Sequence, residues 1–198
     1  TMNVFALELG LPASDLAACW ERIAGGARRE IDLWRANDLF FVQLAGVGVD
    51  AEIIRQTPWQ SKQRLGPLSY LLSAFKVMRK KPPVLSLQVA GEPPRLGALI
   101  LIGNGRHYGG PFPLFDRADP ADGLLDVLVF HQVGPWELAQ LAHRLATHEE
   151  SGEDIECLQL RDFTITAAQP APMELDGELR GETPAHFRPA ERRLIVAA

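Results

Sequence analysis

The sequence has few cysteines and no long apolar run, and both shortages narrow what the protein can be. Only two of its 198 residues are cysteine, Cys19 and Cys157, and their separation fits neither a metal-binding nor a redox motif. Both are therefore predicted to be small buried apolar residues in a reducing compartment. Apolar runs such as residues 98–102 are far shorter than the ~20 residues that a membrane-spanning helix needs.

A basic excess is also missing. The formal net charge is −5, so nothing in the composition favours a nucleic-acid partner. Apolar residues make up 46% of the chain and charged residues 23%, which is typical of a globular protein. The length suits one large domain, or one domain with a fragment of another.

Many short apolar segments separated by turn residues predict a fold that is mainly β. No alternation of strand and helix indicates a parallel sheet, so we expect an α+β, mainly β protein built as a two-layer antiparallel β-sandwich with about three helices. The helices are predicted over residues 15–23, 67–81 and 135–148. The strands are predicted over residues 30–34 and 39–49 (a hairpin around Asn37-Asp38), 84–90, 95–102, 124–131, 155–160, 163–167, 172–179, 185–187 and 193–196.

The long connection after residues 98–102 is the part of the chain where we expect a functional site, and its first part is rich in glycine. Residues 103–110 lack the lysine that ends a phosphate-binding P-loop and do not open a helix. One interpretation is a glycine-permitted bend after a strand. The other is that backbone N–H groups and Arg106 line a cleft for a phosphate or a polar head group.

The second part of the connection carries aspartates at every third position, from Asp116 to Asp122. This spacing does not fit an EF-hand, but a tight turn can direct one carboxylate and neighbouring carbonyls at a hard cation. Magnesium suits such a site because it takes one or two carboxylates and keeps several waters. The alternative is an aspartate-rich turn that fixes the entry into the next strand.

A second acidic cluster lies in the predicted strand over residues 172–179. Side chains two apart on a strand share a face, which would place Glu174, Asp176 and Glu178 together. Three neighbouring carboxylates raise the pKa of at least one of them and favour cation binding or proton transfer. A solvated face of an edge strand is the alternative.

Six segments spread along the chain are informative when they are taken together. In order, they are Thr1-Met2-Asn3-Val4-Phe5-Ala6, Gly46-Val47-Gly48-Val49-Asp50-Ala51, Leu65-Gly66-Pro67-Leu68-Ser69-Tyr70, Asn104-Gly105-Arg106 through Gly110, Asp119-Pro120-Ala121-Asp122-Gly123-Leu124-Leu125-Asp126-Val127 and Asp176-Gly177-Glu178. Together these segments resemble the motifs of the diacylglycerol kinase family of lipid kinases, which includes the sphingosine kinases. The first segment resembles the family's G-T-x-N-x-F-A without its glycine, and the family's nucleotide-binding G-G-D-G-T motif is absent. The resemblance spans essentially the whole chain.

The resemblance implies a two-domain parent enzyme in which the lipid enters between a nucleotide-binding module and a mostly β domain. Residues 1–29 would then be the last element of a truncated nucleotide-binding domain, and residues 30–198 the C-terminal β-sandwich domain. We therefore expect this chain alone to be inactive.

The resemblance also implies site residues and cofactors. Glu178 corresponds to the proposed proton acceptor, with Asp176 beside it, and Thr1 corresponds to a nucleotide contact. A magnesium site thought to be structural corresponds to Asp122 and to the carbonyls of Asp119 and Leu124. The implied cofactors are Mg²⁺ and ATP, with ATP held mainly by the missing domain.

The function predicted on this basis is ATP-dependent phosphorylation of a lipid hydroxyl, as in phospholipid biosynthesis. The expected partners are a lipid substrate and the membrane surface, which a cytoplasmic protein would touch peripherally; a homodimer is compatible with the sequence. The basic residues 79–81 either end a solvated helix or face anionic lipid. The alternative functions are an NAD kinase-like enzyme, a non-catalytic lipid- or sugar-binding β-sandwich, and an oligomerisation domain. The kinase interpretation requires Asp122 and Glu178 to converge on one side of the fold.

Overall fold

Two helices and fourteen strands are seen in the computed structural model, which describes residues 3–11, 15–49, 51–52, 82–134 and 155–197. The predicted helices over 67–81 and 135–148, the basic residues 79–81 and Thr1 lie outside these ranges. The elements are α1 (Val4–Glu8), α2 (Leu16–Ala24), β1 (Arg28–Ile31), β2 (Trp34–Ala36), β3 (Leu39–Phe41), β4 (Leu44–Gly48), β5 (Leu85–Gln88), β6 (Arg95–Gly97), β7 (Leu99–Gly103), β8 (Leu125–Phe130), β9 (Ile155–Leu160), β10 (Phe163–Ala167), β11 (Pro172–Leu175), β12 (Glu178–Glu182), β13 (Ala185–Pro189) and β14 (Leu194–Ala197).

The strands form two six-stranded sheets and one short ribbon. The first sheet has the order β3-β2-β13-β10-β5-β6, the second has the order β12-β11-β4-β7-β8-β9, and β1 pairs with β14. Every pairing among the described strands is antiparallel. The mainly β fold class is therefore confirmed.

The main core lies between the two six-stranded sheets, where each sheet contributes alternate side chains. Phe163 and Phe187 of the first sheet stack with their ring centroids 5.0 Å apart. Ile100 and Val127 of the second sheet belong to the same buried cluster. Burying one face of each sheet against the other is the arrangement that defines a β-sandwich.

A second apolar cluster covers the outer face of the second sheet and brings in the long connection between β7 and β8. Leu114 and Phe115 from that connection pack there with Leu101 of β7 and Phe130 of β8. Gly103 allows this approach, because a Cβ atom at that position would lie 2.4 Å from the Phe115 ring. The strands β7 and β8 are therefore buried on both faces, which explains their continuous apolar sequences.

The prediction of α2 is confirmed, and its first turn shows the reason. The carboxylate of Asp15 accepts the N–H of Ala18 at 3.0 Å, as an N-cap residue does. No helix in the described part of the chain is long and apolar enough to cross a membrane. The prediction that both cysteines are buried is wrong, since Cys19 is half-buried and Cys157 is exposed on the edge strand β9.

Two predicted strands near the start of the chain are divided in the structure. The turn at Asn37-Asp38 joins β2 to β3 as predicted, and Asn37 has a φ of 55°. The segment before it, however, is split between the ribbon (β1) and the first sheet (β2). The segment after it is split between the first sheet (β3) and the second (β4). One continuous hairpin could not supply strands to both layers of the sandwich.

The predicted strand over residues 172–179 is wrong, because it is a hairpin. Asp176 and Gly177 have φ values of 50° and 83° and turn the chain from β11 into β12. Asp-Gly is one of the strongest turn signals between two strands. Glu174, Asp176 and Glu178 therefore do not share one face of a strand.

Candidate functional site

Three segments that carry candidate functional residues lie at one end of the second sheet, where its strands begin or terminate. This end is called the sheet edge below. The Asp176-Gly177 turn, the glycine-rich loop that begins at Gly103 and the acidic loop that precedes β8 all leave the sheet at this edge. The strand register shows this directly: Leu44 pairs with Gly103, Gly103 with Asp126, and Leu175 with both Ala45 and Glu178.

The two predicted halves of the site share this edge but do not touch. Four strand spacings separate β12, which begins with Glu178, from β8, which follows the Asp122 loop. At the usual spacing between neighbouring strands, that is ~19 Å across the sheet. Any site that uses both carboxylates must therefore extend along the whole edge.

Asp176 is the most densely hydrogen-bonded carboxylate of the turn. It accepts the N–H groups of Val42 at 2.9 Å, Gln43 at 2.8 Å and Leu44 at 3.1 Å. Its own N–H donates to the carbonyl of Leu44 at 2.9 Å. These bonds hold the hairpin turn against the short crossing that leads from the first sheet into the second.

Glu178, the predicted proton acceptor, is the first residue of β12 and is exposed. Its carboxylate forms an ion pair with Arg180. Glu174, at the other side of the turn, is completely buried and accepts the N–H of Gly177 at 2.8 Å. The three acidic residues of the segment thus have three different environments.

Asn104 joins the glycine-rich loop to both sheets. Its side-chain oxygen accepts the indole N–H of Trp34 at 2.8 Å, and its Nδ2 donates to the carbonyls of Val42 at 2.7 Å and Asp32 at 3.1 Å. Its backbone N–H donates to the carbonyl of Gln43 at 2.9 Å. The side chain is fully buried, so it holds the edge together rather than facing a ligand.

Asp32 fastens the acidic loop, a role that the sequence did not reveal. Its N–H donates to the carbonyl of Pro120 at 2.6 Å, and its carboxylate accepts the N–H of Gly123 at 2.7 Å and Nε of Arg193 at 2.9 Å. Arg193 also donates to the carbonyl of Ala121. No short motif contains Asp32 and Arg193, which lie 161 residues apart.

The acidic loop is an ordered aspartate-rich turn. The Asp119 carboxylate accepts the N–H of Ala121 at 3.0 Å and lies 3.3 Å from Arg29, and the Asp119 carbonyl accepts the N–H of Asp122 at 3.3 Å. The Asp122 carboxylate accepts the N–H of Leu124 at 2.9 Å and is exposed. These bonds correspond to the turn interpretation of the segment.

Asp126, the second residue of β8, has the most perturbed carboxyl group near this loop. Its pKa is raised to about 6, mainly by burial and to a smaller extent by the negative charges of Asp122 and Asp116. A hydrogen bond from Gln159 and the charge of Arg117 act in the opposite direction. The loop and the start of β8 therefore concentrate negative charge at one end of the sheet edge.

The donor atoms of the acidic loop suit a hard cation that is mostly hydrated. In the part of the chain that the structure describes, no three His, Cys, Asp or Glu side chains are grouped to hold a metal ion. Of the predicted ligands, the Asp122 carboxylate is exposed, and the Asp119 carbonyl accepts the N–H of Asp122 at 3.3 Å; the carbonyl of Leu124 is the third predicted ligand. Magnesium binds in this way, with one or two carboxylates and several waters.

Glu8, at the end of α1, reaches the glycine-rich loop and was also missed. Its carboxylate is only 6% exposed. It accepts the N–H groups of Arg106 at 2.8 Å and His107 at 3.2 Å, and the side-chain amide of Gln43 at 3.2 Å. A single acidic residue on a short apolar segment carries no sequence signal for such contacts.

The sequence matches a known protein family over most of its length. Residues 43–197 match the model of the YegS C-terminal NAD kinase beta sandwich-like domain. The chain belongs to this family. The match includes the Asp119–Leu124 and Asp176–Glu178 segments, and it agrees with the family resemblance found in the motifs.

Relatives of known name are longer than this chain. A "Probable lipid kinase YegS-like" protein of Chromohalobacter salexigens is 33% identical over 179 residues, which are 89% of this chain and 57% of that protein. The diacylglycerol kinase of Bacillus subtilis is 24% identical over 99% of this chain and 66% of its own length. The chain thus spans about 57–66% of these relatives.

A solved structure of a diacylglycerol kinase from Bacillus anthracis has the same fold. It superposes with a TM-score of 0.73 at 21% identity, covering 96% of this chain and 63% of that structure. At this identity the likeness shows the fold and nothing finer.

Proposed function

We propose that this chain is the C-terminal domain of a lipid kinase whose complete form transfers the γ-phosphate of ATP to a lipid hydroxyl. Family membership and the names of the relatives support this proposal. In the complete enzyme, residues 1–29 would end a nucleotide-binding domain, which holds ATP and contacts it through Thr1. Residues 30–198 would form the β-sandwich domain.

The main support for the proposal is that three segments with candidate functional residues lie at the same edge of the second sheet. This edge presents Glu178, the glycine-rich loop and the acidic loop together on one rigid scaffold. Phosphoryl transfer needs positioning and charge stabilisation more than covalent help from the protein. Segments arranged along this edge can together contact a substrate that binds between the β-sandwich domain and the nucleotide-binding domain.

Glu178 acts in this proposal as the proton acceptor. The proton of the lipid hydroxyl passes to its carboxylate, the hydroxyl oxygen bonds to the γ-phosphorus, and the bond from that phosphorus to the bridging oxygen breaks to release ADP. A general base contributes on the order of 10²–10⁴-fold to such a rate. Asp176 acts as a positioning residue, because its hydrogen bonds hold the turn from which Glu178 projects.

The acidic loop would hold a structural magnesium ion through the Asp122 carboxylate and the carbonyls of Asp119 and Leu124. When bound, the ion neutralises the negative charge that Asp116, Asp122 and Asp126 bring together. The chain's own contribution is to hold the loop in shape, which Asp32 does through the N–H of Gly123.

Exposed apolar side chains near the edge favour a lipid acceptor. Phe40 is 57% exposed two residues before Val42, which Asp176 binds. Leu179 is 41% exposed next to Glu178, and Phe112, in the connection that contains both loops, is 46% exposed. Apolar groups at the mouth of a site suit an acyl chain and a peripheral contact of this cytoplasmic enzyme with the membrane surface.

An NAD kinase-like activity is the second candidate, because the family description places this sandwich beside that of NAD kinases. The two candidate activities differ in the molecule that accepts the phosphate.

The parent protein, expressed from its natural start codon, is incubated with γ-labelled ATP, Mg²⁺ and either diacylglycerol micelles or NAD. We expect label in the lipid; label in NAD supports the second candidate, and label in neither contradicts both. The isolated chain is expected to transfer none.

A further inference from the structure

Four hydrogen-bond donors of the sandwich converge on one oxygen atom of Glu8. Besides the N–H groups of Arg106 and His107 and the amide of Gln43, the Nδ1 atom of His107 lies 2.9 Å from the same Oε2 atom. In its Nδ1–H form this ring also donates. Two consecutive backbone N–H groups directed at one point form the type of concavity that binds anions.

The donors outnumber what a single carboxylate oxygen can accept. An ionised carboxylate oxygen offers about two lone-pair positions, whereas four donor groups lie within 3.2 Å of Oε2 of Glu8. A phosphate group brings three strong acceptor oxygens and up to two negative charges. The four donors are therefore crowded onto one oxygen of the Glu8 carboxylate, whereas the three oxygens of a phosphate group could accept them separately.

Close approach to this loop depends on Gly105. A Cβ atom there would lie 2.5 Å from Nε2 of Gln43 and 2.6 Å from the Glu8 carboxylate. An anion can therefore reach these donors only because position 105 has no side chain. Arg106 contributes its backbone N–H to the site, while its guanidinium donates to the carbonyl of Asp116 at 3.1 Å.

The element that carries the carboxylate is held less firmly than the loop that binds it. No residue of α1 is fully buried, whereas the glycine-rich loop is anchored by the buried side chain of Asn104. Moving Glu8 away would not open either apolar cluster, because neither cluster contains a residue of α1.

We propose that Gly105, Arg106, His107 and Gln43 form a binding site for a phosphate group, and that the carboxylate of Glu8 occupies it as an intramolecular competitor. The site is separate from the Glu178 carboxylate. Its occupancy does not require the proposed kinase activity, so each proposal can fail without the other.

Nuclear magnetic resonance of the ¹⁵N-labelled chain tests this directly. Inorganic phosphate is added at constant ionic strength, with chloride as the balancing anion, and the amide shifts of Arg106 and His107 are followed. Glu8→Gln removes the competing charge at constant size, so we expect phosphate to bind this variant about tenfold more tightly than the wild type. Glu21→Gln, the same change at an exposed position of α2, should leave the affinity unchanged.

Two results would overturn the proposal: loop amides that do not shift in either protein, or equal affinities in the wild type and Glu8→Gln. If Glu8→Gln does not fold, Glu8→Asp takes its place, because it keeps the charge but withdraws the carboxylate by one methylene. Phosphate must then bind Glu8→Asp more tightly than the wild type, and an unchanged affinity contradicts the proposal.

The source of the phosphate is decided by the same titration with glycerol 3-phosphate, with glycerol as the neutral control. Equal affinity for the two phosphates assigns the site to free phosphate. Tighter binding of glycerol 3-phosphate assigns it to a lipid head group. Binding of glycerol alone at similar strength would contradict a site for phosphate.

Discussion

The N–H of Gln43 donates to the carboxylate of Asp176 at 2.8 Å, although the two residues are 133 positions apart in the sequence. This bond and its two neighbours connect the hairpin turn before β12 to the crossing between the two sheets. The position of Glu178 along the sheet edge therefore depends on residues 42–44.

Replacing Asp176 should destabilise the fold and not only affect activity. Asp176→Ala leaves three N–H groups without their acceptor, and hydrogen bonds to charged groups contribute about 1.5–3 kcal/mol each. We expect the free energy of unfolding to fall by about 3 kcal/mol or more, measured by urea denaturation. Asp38→Ala, at an exposed ion pair with Arg35, is the matched control and should change it by less than about 0.5 kcal/mol. Equal effects of the two substitutions would contradict this role.

Asn104 should be as important for stability as a large core residue. Asn104→Ala removes the partner of the Trp34 indole and of the carbonyls of Asp32 and Val42, and each buried group left unsatisfied costs about 1–3 kcal/mol. The expected loss in the free energy of unfolding is about 3 kcal/mol, while Gln132→Ala at an exposed position should be nearly neutral. A loss below about 1 kcal/mol for Asn104→Ala would show that the network is not what joins the loop to the sheets.

Asp126 should make the stability of the metal-free protein depend on pH. Its pKa is about 6 in the folded state and about 3.8 in the unfolded chain, so the folded state binds more protons between these values. The free energy of unfolding should therefore fall by up to about 3 kcal/mol as the pH rises from 4 to 7. The stability difference between the wild type and Asp126→Asn, measured with a chelator at each pH, isolates this contribution. A stability difference that stays constant between pH 4 and pH 7 would contradict a contribution from Asp126.

The ion pair between Asp32 and Arg193 should control the shape of the acidic loop. Arg193→Gln leaves the buried carboxylate of Asp32 without its charged partner, and breaking a buried pair costs about 3–5 kcal/mol, less here because Arg193 is 44% exposed. We expect faster hydrogen exchange at the N–H of Gly123, which the same carboxylate accepts. Arg180→Gln, at the exposed pair with Glu178, should leave exchange at Gly123 unchanged. If the N–H of Gly123 exchanges at the same rate in both variants, the ion pair between Asp32 and Arg193 does not hold the acidic loop in shape.

Local patterns were enough to predict the fold class and most strands. Alternating or continuous apolar runs correctly predicted β8, β9 and β10, because burial on one or both faces determines them directly. The same method failed at residues 172–179, where apolar periodicity was given more weight than the Asp176-Gly177 turn. It also failed at residues 39–49, since a change of sheet leaves no periodic signal.

The polar residues that hold the edge together could not be predicted in the same way. Glu8, Asp32 and Arg193 act through partners 98, 91 and 161 positions away. Their contacts exist only after the sheets have formed. Asn104 stood in a motif and could be singled out, but the sequence did not show that it is buried. The motifs located the loops, and the fold was needed to show what holds them in place.

The proposal that Glu178 accepts the proton of a lipid hydroxyl is tested most directly in the parent protein. The initial rate of phosphate transfer from γ-labelled ATP to diacylglycerol is compared for the wild type, Glu178→Gln and Glu182→Gln, which makes the same change at an exposed position of the same strand. We predict a loss of about 10²-fold or more for Glu178→Gln, with the KM for ATP unchanged, and none for Glu182→Gln. Full lipid kinase activity in Glu178→Gln would contradict the account.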